Sequence, residues 1–356
     1  DNQKGKELTC RLCGSYWMSC NHLESARSKN ERLTSTDVPP TDNKVLDLFT
    51  AYKDKHLNTK TLSEISNKYS PDVSTFYFLQ KLYQKPTNKE AHDLYLNYYD
   101  QIKAQDFNDT IDDLLKSYVV VFVPGLAYKE DTTTGADFAR QRKLLTEKGV
   151  RNELIEIGEW DLVENNANLI AQRLKYLASV NEKILLVSAS KGGLETAIAL
   201  GTILTPEDIK SVKSWINVGG ILRGSPIADN YLKFPKCWLA EVALWTKGKK
   251  INLVKNISYN DRQRAFDSIT FPEHINIINF VGLPLSTRID KKIKSRYCSM
   301  IKLGPNDGLS PIADLTVENG ITISELGLDH YFRDDNIDVK TLALAMVAVK
   351  LDQNGK

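Results

Sequence analysis

No stretch of this 356-residue sequence approaches the ~18–20 consecutive apolar residues that a membrane-spanning helix requires. Neither sign of charge dominates. Its 47 basic residues nearly cancel 45 acidic ones, leaving a formal net charge of +2, so no strong overall field for nucleic acid or an acidic membrane follows. Histidine is scarce: His22, His56, His92, His274 and His330 are all there are, so any catalytic base has few candidates. Cysteine is sparse too. Cys10, Cys13, Cys20, Cys237 and Cys298 make an odd total, which leaves at least one thiol unpaired within a monomer.

Three of those cysteines cluster with His22 as Cys10-x-x-Cys13 and Cys20-x-His22. Thiolate and imidazole are the usual partners of zinc. Against that, only six residues separate the two half-motifs, fewer than in common zinc folds. The competing reading is one local disulfide with a spare thiol, or three ordinary cysteines in a loose tail. The first residue is Asp rather than Met, which reads as a processed or trimmed chain whose targeting peptide lies out of view. With the cysteine cluster, it leans toward an exported protein. Asn108 and Asn256 stand in Asn-x-Ser/Thr matches that an Asn-rich chain yields by chance, so they do not decide secretion.

What is present is an ordinary globular composition, 42% hydrophobic and 26% charged. A chain of this length can bury a large core in one α/β domain with additions, or in two domains. Residues 1–42 read as a polar tail or linker, with Pro39-Pro40 resisting helix. Residues 43–117 turn helical. Val45, Leu46, Leu48, Phe49 and Tyr52 recur at three- and four-residue spacings, and Ser70-Pro71-Asp72 and Lys85-Pro86-Thr87 punctuate three or four helices. Phe76, Tyr77, Phe78, Leu82 and Tyr83 supply their apolar surface.

A different rhythm starts at Tyr118. Val119 to Val123 is short, β-branched and closed by Pro124-Gly125, the signature of a buried central strand. Phe138 to Lys148 follows as helix and Glu153 to Ile157 as strand. Leu162 to Val180 is predicted helical, with Leu169, Ile170, Leu174 and Leu177 on its apolar face. Lys183 to Val187 is strand, Gly192 to Leu204 helix and Ser214 to Val218 strand. Such alternation implies right-handed crossovers and a mostly parallel sheet flanked by helices, with ligands beyond the C-terminal strand ends. Residues from about 224 to 272 interrupt the pattern as a cap, including a helix from Cys237 to Trp245. His274 to Val281 returns to strand, Arg296 to Leu303 is read as a further one, and Asp338 to Leu351 as the last helix.

The most informative segment runs from Ile184 to Leu194. A buried strand leads straight into Ser188-Ala189-Ser190-Lys191-Gly192-Gly193 and then into an apolar helix. That is the setting of a nucleophile elbow, a strained turn that lifts a serine above the sheet and needs small neighbours two residues to either side. Ser188 and Gly192 satisfy that need. The alternative is a plain strand–turn–helix. A serine needs a base, and the base an orienting acid, in the chain order Ser, acid, His. His330 is the one late histidine, while His274 enters a strand and reads as structural. Asp307, in a Gly/Pro/Asn turn, is the favoured acid, with Asp314, Asp329 and Asp290 as rivals and a plain Asp-Gly turn as the alternative. The oxyanion donors are expected at the backbone N–H groups of Lys191 and Leu126. The Lys191 side chain reads as simply solvated.

These segments resemble the lipase-like members of the α/β-hydrolase superfamily. Val121 to Leu126 is similar to their oxyanion strand, although Pro124 stands where many members have His. Ser188 to Gly193 resembles their elbow, with Ser188 in place of the usual Gly. Trp215 to Asp229 resembles the strand and loop that carry a Thr-Pro-His-Arg-Gly-Ser-Pro type motif, with Leu222 in place of its His. Asn306 to Leu309 is similar to the acid loop, and Leu328 to His330 to the His loop. The resemblance implies an α/β-hydrolase domain over residues 118–356, to which the residue pattern adds a cap or lid insertion at about 224–272 and an N-terminal helical extension that matches no part of the family.

It also implies serine carboxylester hydrolysis through an acyl-enzyme on Ser190, His330 and Asp307, with no metal or organic cofactor and with a small-molecule or lipid ester as substrate. Two other outcomes stay open: an acyltransferase or thioesterase on the same triad, and a non-catalytic hydrolase-fold protein that binds partners through its N-terminal third. Trp238 to Trp245 reads either as a lid exposing apolar surface to lipid or as an ordinary buried cap helix. Nucleic acid is not an expected partner; contact with a lipid interface stays open.

Overall fold

In the computed structural model, residues 8–9, 16–17, 48, 50–104, 110–246, 248–286 and 289–355 are described. Cys10, Cys13, Cys20 and His22, and with them the zinc reading, lie outside the described residues, as does most of the segment read as a tail. The chain forms two compact units. One comprises Asp1–Lys89, Val281–Asp314 and Ser324–Phe332; the other comprises Glu90–Phe280, Leu315–Ile323 and Arg333–Lys356.

The central sheet has six strands: β1 Val119–Val123, β2 Arg151–Leu154, β3 Ile184–Ala189, β4 Val212–Val218, β5 Asn276–Leu283 and β6 Ile321–Leu326. Their order is β2-β1-β3-β4-β5-β6, and the sheet is parallel. Val121 sits opposite Glu153 on one side and Leu186 on the other. All five side chains of β1 are buried, because helices cover both faces of a parallel sheet. The chain moves outward from β1 to β2, then returns past β1 to β3. The loops after β1 and β3 therefore diverge at a point of reversal, where open α/β sheets hold their ligands.

In the second unit, helices α5 Ala139–Glu147, α6 Val163–Val180, α7 Lys191–Ile198 and α13 Ile337–Gln353 flank these strands. Helix α6 packs Ile170, Leu174 and Leu177 with Val121, Leu186 and Trp215 in one apolar cluster. Its buried residues Val163, Ala167, Ile170, Leu174 and Leu177 follow alternating spacings of three and four, one stripe of a 3.6-residue period. Leu169 falls off that stripe and is 43% exposed, so it does not belong to the inward face that the sequence suggests.

Strand β2 begins two residues earlier than expected and ends at Leu154. The next N–H, of Ile155, still bonds to the Phe122 carbonyl at 2.8 Å, and Ile155 and Ile157 stay buried past the strand end. Among the described residues, four helices connect β4 to β5: α8 Pro226–Leu232, α9 Lys236–Trp245, α10 Asn252–Asn256 and α11 Tyr259–Asp267. This is the segment read as a cap.

In the first unit, α1 Thr59–Lys68 and α2 Pro71–Tyr83 start on capping side chains. Asn58 accepts from the Thr61 N–H at 2.9 Å and Ser70 from the Val73 N–H at 3.1 Å, and Pro71 takes the first helical position. Tyr77, Phe78 and Leu82 are buried. Polar contacts tie these helices to the segment 286–314. Ser63 Oγ donates to the Lys302 carbonyl at 2.7 Å, Ser286 Oγ to Asp72 Oδ2 at 2.6 Å, and Thr59 Oγ1 to Asp314 Oδ2 at 2.7 Å. Helix α3 Pro86–Lys103, which passes into the second unit at Glu90, and α4 Thr110–Lys116 of that unit complete the helical stretch before β1.

The expected strand over Arg296 to Leu303 is instead helix α12, Lys294–Met300, followed by a short 3₁₀ turn. Ile293, Tyr297 and Met300 are buried at spacings of four and three, a helical period that the charged residues between them obscure in the sequence. The sixth strand, β6, has no counterpart in the sequence reading.

Candidate active site

The backbone at Ser190 is the local feature on which the site is built. Its φ is 53° and its ψ −124°, a conformation that costs a non-glycine residue roughly 1–3 kcal/mol. Three hydrogen bonds hold it there. Its N–H donates to the Val218 carbonyl at 3.2 Å, and its carbonyl accepts from Gly193 at 3.0 Å and Ile221 at 3.1 Å. The neighbours must be small for measurable reasons. A Cβ on Gly192 would lie 2.2 Å from the Pro124 carbonyl oxygen, and one on Gly193 would lie 2.5 Å from Asn217 Oδ1. On the β1 side, a Cβ on Gly125 would come within 3.2 Å of Ser190 Cβ. The Gly125-Leu126 turn therefore lies directly beside the serine.

Ser188 departs from the usual glycine for a structural reason. It is fully buried, and its Oγ accepts a 2.8 Å hydrogen bond from the indole N–H of Trp215. The hydroxyl satisfies a donor that would otherwise be buried without a partner.

Lys191 follows the serine as the first residue of α7, so its N–H has no partner inside the helix. Its side chain is not solvated as the sequence suggested. It is 1% exposed and ion-paired with Glu195 one turn on, and Glu195 Oε1 also accepts from Asn166 Nδ2 at 2.7 Å. Asn166 is fixed in turn by the backbone of Gly158, through bonds of 2.8 and 3.0 Å. Burial pushes the Glu195 carboxyl up to about 7, with Lys191 and Asn166 opposing the rise. The i,i+4 Lys–Glu spacing inside an otherwise apolar helix was the sequence signal for this pair; Asn166 and Trp215 carried none.

Asp307 and His330 meet in the first unit. Asp307 is 1% exposed, and its Oδ2 lies 2.7 Å from His330 Nδ1. Its Oδ1 accepts from the backbone N–H groups of Leu309 and Ser310, both at 2.8 Å, which fixes the carboxylate plane. The His330 N–H also donates to the Asp307 carbonyl at 3.0 Å. Gly308, at φ 99°, and Gly304, at φ 99°, supply the turns that aim this loop. The His330 loop presses on β5, where a Cβ on Gly282 would come within 2.9 Å of the Leu328 and Asp329 carbonyls.

Asp314, Asp329 and Asp290 have partners of their own. Asp314 receives Thr59, Asp329 accepts from the Tyr331 N–H at 2.9 Å, and Asp290 from the Lys292 N–H at 2.7 Å. His274 bonds the Ile209 carbonyl at 3.1 Å, in keeping with a structural role. In the second unit an apolar cavity of about 60 Å³ lies between the sheet and helices α5 and α13. Phe122, Val187, Val218, Phe138 and Leu344 are among its walls. Among the described residues, no cluster of His, Cys, Asp or Glu is arranged to hold a metal ion, and no helix is long and apolar enough to cross a membrane.

A six-stranded parallel sheet with helices on both faces, a left-handed serine between its third strand and the next helix, and a later acid–histidine pair together describe the α/β-hydrolase fold, and the chain has that fold. Among solved structures it is similar to a carboxyl esterase of metagenomic origin, at a TM-score of 0.55 and 18% identity over 67% of this chain and 76% of that one. It is also similar to a Bacillus licheniformis lipase in mature form, at a TM-score of 0.48 and 20% identity over 60% of this chain and 84% of the lipase. A third neighbour is the apo form of Thermogutta terrifontis esterase 2, at a TM-score of 0.35 and 15% identity over 65% and 81% of the two chains. At these identities the likeness is one of fold. No family model matches the chain, and no curated protein does.

Proposed function

We propose that this chain is a serine carboxylester hydrolase whose nucleophile is Ser190, whose general base is His330 and whose orienting acid is Asp307. The observation that carries the reading is the strained backbone of Ser190, held at φ 53° between a buried strand and a helix N-terminus. A fold keeps such strain in a polar residue where a reactive group must be presented.

In the proposed reaction, Ser190 Oγ attacks the ester carbonyl and passes its proton to His330 Nε2. Asp307 Oδ2 holds the Nδ1 side of the same ring, fixing its tautomer and stabilising the imidazolium. The carbonyl oxygen becomes an oxyanion, which the N–H groups of Lys191 and Leu126 receive at the positive end of α7. As the carbonyl re-forms, the bond to the alcohol breaks and His330 returns the proton to the alcohol. Water, deprotonated by His330, then attacks the Ser190 acyl ester and regenerates the enzyme. The fold shared with a metagenomic carboxyl esterase is in keeping with an ester over other acyl substrates.

The test is covalent labelling with a fluorophosphonate probe, followed by turnover of a chain-length series of p-nitrophenyl esters. The wild type is expected to label, and Ser190→Ala to lose the label while keeping its thermal transition. A folded wild type that neither labels nor hydrolyses any ester in the series overturns the proposal.

A further inference from the structure

Beyond the reaction itself, the turn between α8 and α9 has a composition and an exposure that the hydrolase reading does not use. Tyr231 is 48% exposed, Phe234 87% and Trp238 64%. Among the described residues, these are the exposed large aromatics apart from Tyr176 on α6, and they fall within one helix–turn–helix. Lone exposed apolar side chains are ordinary, but three large rings clustered on one turn are not.

The rings are interleaved with cations. Lys233 and Lys236 flank Phe234 and are both exposed. The surrounding segment from Pro226 to Ser258 carries six lysines, at positions 233, 236, 247, 249, 250 and 255, against Asp229 and Glu241. Its net charge of +4 exceeds the +2 of the whole chain, so the rest of the protein is slightly acidic. Positive charge is concentrated in the same stretch of sequence as the exposed rings, and Lys233 and Lys236 lie beside Phe234 in it. Two uses of this segment account for part of it. Lys249 is paired with Glu130 over the Trp160 ring, and Lys233 donates to Asn230 at 3.1 Å. Lys236 and the aromatic tips are not drawn inward.

We infer that the α8–α9 turn, through Tyr231, Phe234 and Trp238 with Lys233 and Lys236, is an anchor for an anionic lipid surface. Amphipathic rings settle at the headgroup level of a bilayer while lysine stems extend to anionic phosphates. Phe234 sits on a turn and is 87% exposed. A ring this exposed suits a bilayer interface, which parts around it, better than a folded partner, which needs a matching pocket. The local positive charge favours phosphatidylserine-type membranes over neutral ones.

The experiment is co-sedimentation of the whole chain with phosphatidylcholine vesicles, with and without phosphatidylserine, at low and moderate salt. Wild type is expected to partition onto the anionic vesicles and only weakly onto neutral ones. Phe234→Ser with Trp238→Ser should lower the partition coefficient by at least about tenfold, since each buried ring contributes strongly to transfer. Lys233→Gln with Lys236→Gln should lower it by roughly fivefold per charge and flatten its salt dependence. All four side chains are exposed, so these variants should keep the wild-type thermal transition. Ser190→Ala should bind as wild type does, which separates the anchor from the catalytic proposal. Absence of anionic-vesicle binding by the folded wild type overturns the anchor, whether or not the chain captures an acidic polypeptide. So does equal binding by the aromatic variant.

Discussion

Replacing Glu195 by Gln should remove a pH-dependent loss of stability that the wild type suffers between about pH 5 and pH 7. Glu195 lies fully buried in the first turns of α7, and both of its favourable contacts, Lys191 Nζ and Asn166 Nδ2, fall on Oε1. Among the described residues Oε2 has no hydrogen-bond partner. Half of the carboxylate is thus desolvated without compensation, and the group is pushed from its ordinary 4.5 up to about 7. The sign follows from proton counting. Below the unfolded value both states hold the proton and the native state carries no penalty. As pH rises toward the folded value, the unfolded chain releases its proton first, so stability falls.

A shift of this size corresponds to about 3 kcal/mol lost across the window. Gln has the same shape and no such proton. The assay is urea unfolding of wild type and Glu195→Gln at a series of pH values, comparing their difference in stability. That difference should move against the wild type by about 3 kcal/mol as pH rises, other titrations cancelling between the two proteins. A difference constant to within about 1 kcal/mol would mean that Lys191 holds the carboxylate ionised throughout, and that attraction rather than desolvation governs the pair. A difference moving in favour of the wild type would refute the reasoning outright.

Two further changes test the site. Asp307→Asn should leave the loop folded, because Asn can still accept from Leu309 and Ser310, yet cut kcat for p-nitrophenyl esters by a factor on the order of 10³–10⁴ by losing the charge that orients His330; activity within about tenfold of wild type would move the acid elsewhere. Gly192→Ala sets a Cβ 2.2 Å from the Pro124 carbonyl oxygen, a backbone contact that no rotamer relieves. It should lower the thermal transition, with a cost of roughly 1–3 kcal/mol by denaturant unfolding, and slow fluorophosphonate labelling by displacing Pro124-Gly125 from Ser190. Unchanged stability and labelling would show that the elbow is looser than it looks.

The parallel architecture was legible in the sequence because burial on both faces writes a strand as an unbroken apolar run, as in Val119 to Val123, and the intervening helices as stripes. The tight turn at Ser190 was legible for a related reason. Close backbone approach demands Gly192 and Gly193, and that demand leaves a pattern in the sequence. Scarcity helped as well, since five histidines left His330 alone in the late part of the chain.

Some features were written too faintly. Strand β6 alternates Thr322, Ile323, Ser324 and Glu325, all buried, so polar side chains stand where an apolar run was sought. Helix α12 hides its inward residues among charges, and Leu169 looked inward because it adjoins Ile170. Other features were settled by tertiary structure alone. Asp307 and His330 are separated by a whole strand, and only the loops that Gly304, Gly308 and Gly282 permit bring Oδ2 and Nδ1 to 2.7 Å. The Ser188 hydroxyl acquires its purpose only when β4 sets the Trp215 indole against it. Lys191 reads as a surface lysine until the backbone buries it beside Glu195 and Asn166. Local sequence fixes which backbone conformations a segment can adopt; the partner of a buried polar group comes from distant chain, and only packing selects it.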